Sequence, residues 1–276
     1  MTATIKTTNL QHASSGSANI VLGSDGTSDV VGNFQRGHIA GLTLSYSNTT
    51  TFGVAVGSAT ASDGTTSMTL SSAYTKTTGS WAVGTGNGGL DTGSVTTSTW
   101  YHVYLIKRSD TGVVDILIST SATSPTMPTN YDLKRRIGAI KTDGSSQIID
   151  FTQVGDEFLW DVQVEDVDTS SLSTTAQLYT LSVPTGVTVW AIIDSTTQSA
   201  TVDCHTYLSS PDVSDQSASA GDARIHMVIQ SANHSDAGMF MIRTDTSARV
   251  RAVSTHASTT FRIGTHGWRD RRGRDD

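Results

Sequence analysis

Apolar residues in this chain recur at every second position in short runs, and polar turn residues separate the runs. Residues 100–108, carrying Trp100, Val103, Leu105 and Ile106, read as one strand, and residues 113–119, carrying Val114, Ile116 and Ile118, as another. Ser109-Asp110-Thr111-Gly112 between them supplies turn chemistry, so the two runs predict a β-hairpin. The same alternation predicts strands over 39–46, 52–56, 67–71, 137–140, 147–151, 157–164, 178–183 and 187–193. Further strands are expected over 225–229, 238–243, 248–253 and 260–263. Asp143-Gly144 and Pro184-Thr185-Gly186 are additional turn signals between neighbouring runs. Many short strands punctuated in this way predict an all-β fold, an antiparallel β-sandwich or jelly roll, possibly in two sandwich halves. A parallel α/β sheet would need crossover helices, and no stretch with that periodicity is long enough.

The pattern also suggests how the chain divides. Residues 1–32 are small and polar, with only Ile20-Val21-Leu22 and Val30-Val31 as apolar anchors. Alone they bury too little to fold, so they read as an extended N-terminal attachment segment that docks elsewhere. Residues 33–165 form a first β-sandwich-like region and 166–276 a second β-rich region. The polar stretch 166–175 is either a linker between them or a long loop inside one domain. At the end, Gly267-Trp268-Arg269-Asp270-Arg271-Arg272-Gly273-Arg274-Asp275-Asp276 mixes both charges around one tryptophan and reads as a surface clasp.

Composition sharpens this picture. Ser and Thr together make up about 29% of the 276 residues, far above average usage, and Gly contributes 25 more. Such a bias can mark disorder, but the β-branched residues here are patterned, which favours pleated sheet. Only Glu157 and Glu165 among the 25 acidic residues are glutamate, so strong helix formers are scarce. The lone Cys204 excludes an intramolecular disulfide framework and a cysteine-rich zinc site. No apolar run reaches membrane-spanning length, and residues 1–6 lack the apolar core of a secretion signal. A formal net charge of −7 argues against broad nucleic-acid binding.

Each cluster that could carry chemistry has a plainer structural reading. Gly84-Thr85-Gly86-Asn87-Gly88-Gly89 satisfies the spacing of a dinucleotide-binding loop, yet no helix opens after it, so a glycine-rich connection between strands is expected. Cys204 and His205 are adjacent on a strand and point opposite ways, which prevents them from sharing a metal. Asp161, Glu165, Asp166 and Asp168 supply hard oxygen ligands and form a calcium candidate. Against it, Asp161, Gln163 and Glu165 fit the outward phase of a strand whose inward phase is Val162 and Val164. The same carboxylates could be imagined as a glycosidase pair, but nothing in the sequence sets their separation. Lys134-Arg135-Arg136 could bind phosphate or acidic sugar, but reads first as a solvated strand edge. Trp81, Trp100, Trp160 and Trp190 sit in apolar runs and are expected in the core. No catalytic constellation and no cofactor site is expected.

Several blocks resemble a module of tailed-phage and prophage structural proteins. They are WAVGTGNGGLDTGS at 81–94, WYHVYLI at 100–106, SDTGVVD at 109–115, STSATSP at 119–125 and YDLKRRIG at 131–138. GDEF at 155–158, YLSSPD at 207–212, RTDTSA at 243–248 and GWRDRRGR at 267–274 continue the likeness. The segment Lys6-Thr7-Thr8-Asn9-Leu10-Gln11-His12, with Ala13, Ser14 and Ser15, is similar to the opening of phage tail-fibre proteins, at their virion-attachment end. The resemblance implies a non-enzymatic virion surface protein of the tail-fibre type, a homotrimer on the exterior of the tail or capsid. Its partners would be other virion proteins and host cell-surface glycan. Two alternatives are a capsid decoration or head-fibre protein and, from another class, a polysaccharide depolymerase.

Overall fold

The computed structural model describes residues 36–64, 66–200, 203–215, 217–219 and 226–274, together with the backbone of three short strands before residue 36. These three, β1 (Asn9–Leu10), β2 (Ile20–Leu22) and β3 (Ser28–Val30), pair antiparallel. Of the attachment residues Lys6 to His12, only Asn9 and Leu10 therefore fall within the described backbone.

The next ten strands build two sheets. They are β4 (Ile39–Gly41), β5 (Leu44–Asn48), β6 (Thr51–Val54), β7 (Gly57–Thr60) and β8 (Ser67–Leu70), then β9 (Tyr74–Ser80), β10 (Gly88–Leu90), β11 (Trp100–Lys107), β12 (Val114–Ser119) and β13 (Leu133–Lys141). Seven of them pair in the order β13-β11-β12-β10-β9-β6-β5, and β4-β7-β8 form a smaller sheet. The expected hairpin is present: β11 and β12 pair antiparallel from His102 opposite Ser119 to Lys107 opposite Val114. Only β10 breaks the antiparallel rule among these pairs, lying parallel to both β9 and β12.

The remaining strands are β14 (Phe151–Val154), β15 (Glu157–Leu172), β16 (Gln177–Thr180), β17 (Trp190–Gln198) and β18 (Cys204–Ser209), followed by β19 (His226–Ile229), β20 (Ser235–Arg243), β21 (Arg249–Ser254) and β22 (Thr259–Arg269). A five-stranded sheet, β14-β15-β22-β17-β20, faces a four-stranded one, β16-β21-β18-β19. Among the described residues there is no helix, and the fold is an all-β arrangement of packed sheets.

One hydrophobic core runs from Ile39 through Val103, Ile118 and Ile137 to Ala191, Phe261 and Trp268. Its centre is aromatic. Trp268 stacks on Phe158 with centroids 5.0 Å apart and meets Trp100 edge-on at 5.3 Å and Trp160 at 5.1 Å. These four rings join residues of the early sheets to the end of the chain, and such pairs add about 0.5–1.5 kcal/mol each beyond area burial. The tail is therefore no surface clasp around a wet tryptophan, because Trp268 is wholly buried.

Burial of charge explains how the tail is held. Arg135 and Arg136 lie on the edge strand β13, where solvated side chains were expected, yet they are 1% and 2% exposed. The end of the chain covers them. Arg136 donates from both Nη atoms to the Asp270 carboxylate, at 2.9 and 2.5 Å. Arg135 donates to the carbonyls of Thr60, at 2.8 Å, and of Gly273. Arg272 reaches Asp156 at 3.1 Å and the Gly41 carbonyl at 3.1 Å, and Arg274 binds the same aspartate. The edge is protected by a covering segment instead of by solvated charge.

Other expectations fail for local reasons. Residues 166–172, expected as linker or loop, continue β15 along β22 to Leu172 opposite Thr259. Irregularities at 160–163, 166 and 170–171 break the alternation of that strand, which leaves Val162 exposed where an inward position was expected. The run 39–46 divides between two sheets because Gly41 and Leu42 both take left-handed φ, 67° and 53°. The runs on either side of the turn at Gly186 do not pair with each other: β16 and β17 belong to different sheets, and the turn carries the chain across. Near Asp143-Gly144 the turn survives as a single bridge, Thr142 to Ile148, without the strand expected over 147–151.

Because Asp270 is the charge partner of a desolvated guanidinium, Asp270→Asn should destabilise the protein by about 3–5 kcal/mol. Urea unfolding followed by tryptophan fluorescence reads this directly, and an unchanged midpoint would refute the assigned role.

Candidate binding cleft

On the outward face of the five-stranded sheet, register places one residue from each of four neighbouring strands in a row. Arg269 of β22 lies opposite both Glu157 of β15 and Trp190 of β17, and Trp190 lies opposite Arg243 of β20. Directly opposed residues share a face. The row therefore reads carboxylate, guanidinium, indole, guanidinium. Trp190 is 45% exposed, unlike the other tryptophans, so its placement in the core is corrected. Arg269 donates to Glu157 at 2.9 Å, and Arg243 donates to Asp212 at 2.9 Å on the other flank.

A cleft of about 540 Å³ opens above this row. Ala122 and Thr123, which follow β12, form one wall, and residues 186–188 with Thr246 form the other. The tail residues Arg269 to Arg271, with Gly273, line the remaining side. Gly186 is needed at the neck. A Cβ there would lie 2.8 Å from that of Ala122, and its φ of 79° disfavours any other residue.

Arg136 and Asp270 make the floor, and His102 supports them from below. Arg136 Nε donates to His102 Nδ1 at 2.9 Å, so the ring proton sits on Nε2, toward the Thr185 backbone. Burial first, and then the Arg136 charge, push the His102 pKa down to about 3. Burial raises the Asp270 carboxyl, but the Arg136 charge and hydrogen bonds outweigh it and hold the group below its ordinary range. The floor is thus a closed, internally neutralised network, and the rim arginines are the ones that solvent reaches.

The remaining candidates have structural duties. The glycine-rich loop leads into β10, and its Gly84 N–H donates to Asp115 at 2.7 Å. Asp115 is paired at 2.8 Å with Lys76, both side chains fully buried, and Lys76 also donates to the Ala82 carbonyl and lies over Trp81. Of the calcium candidates, Asp166 accepts hydrogen bonds from Ser182 and Thr265, and Asp168 pairs with Arg262 at 3.0 Å. Asp161 and Glu165 are exposed on the irregular part of β15. Among the described residues no group of three or more His, Cys, Asp or Glu side chains is placed to hold a metal ion. Cys204 and His205 are both buried, and the Cys204 thiol contacts the hydroxyls of Ser254 and Thr259 at 3.3 Å.

A signal for Trp190 exists in the sequence. Val187, Val189, Ala191 and Ile193 form one phase of the run, wholly apolar, while Thr188, Ile192 and Asp194 share the other phase with Trp190. The polar members mark that phase as outward. Nothing in the sequence places Arg243 and Arg269 beside it, since both pairings are long-range. Compared with known proteins, the chain matches no family model and no curated sequence.

The histidine beneath the cleft makes stability depend on pH. An unfolded histidine titrates near 6.5, whereas His102 stays neutral to about pH 3, so its contribution is complete above 6.5 and declines as pH falls toward 3. Between pH 7 and pH 5 the wild type should lose about 2 kcal/mol more than His102→Gln, which keeps a donor and an acceptor without titrating. Parallel unfolding curves for the two proteins across that range would overturn this assignment.

Proposed function

We propose that this chain is a structural, non-enzymatic surface protein of a tailed-phage particle, of the tail-fibre type, with its N-terminal segment as the anchor. In this reading it assembles as a homotrimer, and the body contacts host cell-surface glycan through the cleft around Trp190. The observation that carries the binding role is the exposed indole between Arg243 and Arg269, lining a cleft of about 540 Å³. Ligand sites combine concavity with a few convergent polar groups, and an aromatic plate offers flat apolar area to a sugar ring. The attribution to a phage particle rests on the resemblance of the blocks at 81–94, 100–106 and 267–274. A covered edge at β13 and a Ser- and Thr-rich, weakly charged composition also suit a protein displayed in many copies.

Particles assembled with a chain lacking residues 1–32 test the anchor, and particles carrying Trp190→Ala test the cleft. The truncated chain should fold yet be missing from purified particles. The Trp190→Ala chain should be incorporated normally while adsorption to host cells falls at least ten-fold. Normal incorporation of the truncated chain would refute the anchor, and unchanged adsorption would refute the cleft.

A further inference from the structure

The chemistry of the Trp190 row narrows what the cleft accepts. A neutral sugar needs only the indole face and hydrogen-bond partners, whereas this indole has a guanidinium on each side, one strand away along the same row. A guanidinium presents five N–H donors in a planar fork that matches a carboxylate. Arg243 and Arg269 each direct Nε to a rim carboxylate, Asp212 and Glu157, with side chains 49% and 55% exposed. Exposed pairs of this kind are worth about 0–1 kcal/mol, so a ligand carboxylate replaces or shares them at little cost. The buried Arg136–Asp270 pair below is different: it is closed on itself and contributes shape.

We infer that the cleft binds an acidic saccharide of the hexuronate class. A sugar ring lies on Trp190, and carboxylates of the oligosaccharide engage both Arg243 and Arg269. This inference rests on the proposed glycan contact and specifies its ligand class. Single-stranded nucleic acid also uses aromatic plates and arginine. A titration with an oligothymidylate therefore separates a nucleic acid from an acidic saccharide at this row.

The full chain is titrated with tetragalacturonate, with a neutral galactose tetramer and with a short oligothymidylate, by calorimetry and by tryptophan fluorescence. The acidic tetramer should bind at least ten-fold more tightly than the neutral one and lose affinity as salt rises. Arg243→Gln and Arg269→Gln should each lower acidic-tetramer affinity toward that of the neutral tetramer, and Trp190→Ala should abolish binding of both sugars. All three side chains are exposed, and unchanged circular dichroism checks that the variants fold. Equal binding of the two sugars, absence of acidic-tetramer binding, tighter binding of the oligothymidylate, or indifference to both arginine substitutions would overturn the inference. Loss of host adsorption by Trp190→Ala particles without tetragalacturonate binding would refute the acidic class alone and leave the glycan contact standing. Tetragalacturonate binding by the protein, together with normal adsorption of those particles, would do the reverse.

Discussion

Two guanidinium groups removed from water on the edge of the seven-stranded sheet are the constraint on which the rest of this molecule depends. Arg135 and Arg136 cannot remain buried unless their donors are met; Thr60 and His102 meet part of them, and Gly273 and Asp270, at the far end of the chain, meet the rest. Desolvating such a pair consumes most of its Coulombic attraction, so its net contribution over an apolar replacement is small. What it fixes is position. With Asp270 held by Arg136, Trp268 is delivered into the cluster of Phe158, Trp100 and Trp160, and Arg269 is left on the outer face beside Trp190. One contact therefore sets the closure of the core and the floor of the cleft together.

The Lys76–Asp115 pair repeats this logic on a smaller scale. A loop rich in glycine has little side-chain packing of its own, and the buried pair gives its backbone a fixed acceptor for the Gly84 N–H and a fixed donor for the Ala82 carbonyl. Hydroxyl groups extend the theme between the two later sheets. Thr197 meets Thr206 at 2.9 Å, Ser254 meets Thr259 at 3.0 Å, and all four are buried. A Ser- and Thr-rich sequence would be expected to spend its hydroxyls on solvent. Here many sit inside, where each satisfies another and where an unpaired one would be costly.

The sequence discloses those features that are local. The β11–β12 hairpin was legible because its turn residues and its alternation agree within twenty residues, and the glycine loop was legible because no helix follows it. The tail was not. Its charges look solvated in sequence, and only the distant Arg136 and Asp156 turn Asp270 and Arg272 into interior groups. β15 misled for a different reason. Its first irregularity changes the phase of every later residue, and a period of two cannot anticipate an inserted residue. Of the cleft, the outward phase of Trp190 was available from Thr188 and Asp194. Its arginine neighbours were not, because cross-strand partners 53 and 79 positions away leave no trace in local pattern.

The placement of Trp190 makes its exposure informative. A large aromatic on a flexible loop is exposed for want of anything to pack against, but Trp190 opens a nine-residue strand paired on both sides. Its backbone is already fixed, so binding orders little beyond the side chain, and an indole has few rotamers to lose. The flanking arginines are likewise carried by paired strands and oriented by Asp212 and Glu157 before any ligand arrives. Beneath them the Arg136–Asp270–His102 network excludes slack from the floor. Trp190 keeps 45% of its surface in water, which is costly for an aromatic plate held on a paired strand. The proposed recognition of a flat, polar-edged ring is consistent with both its exposure and its rigidity.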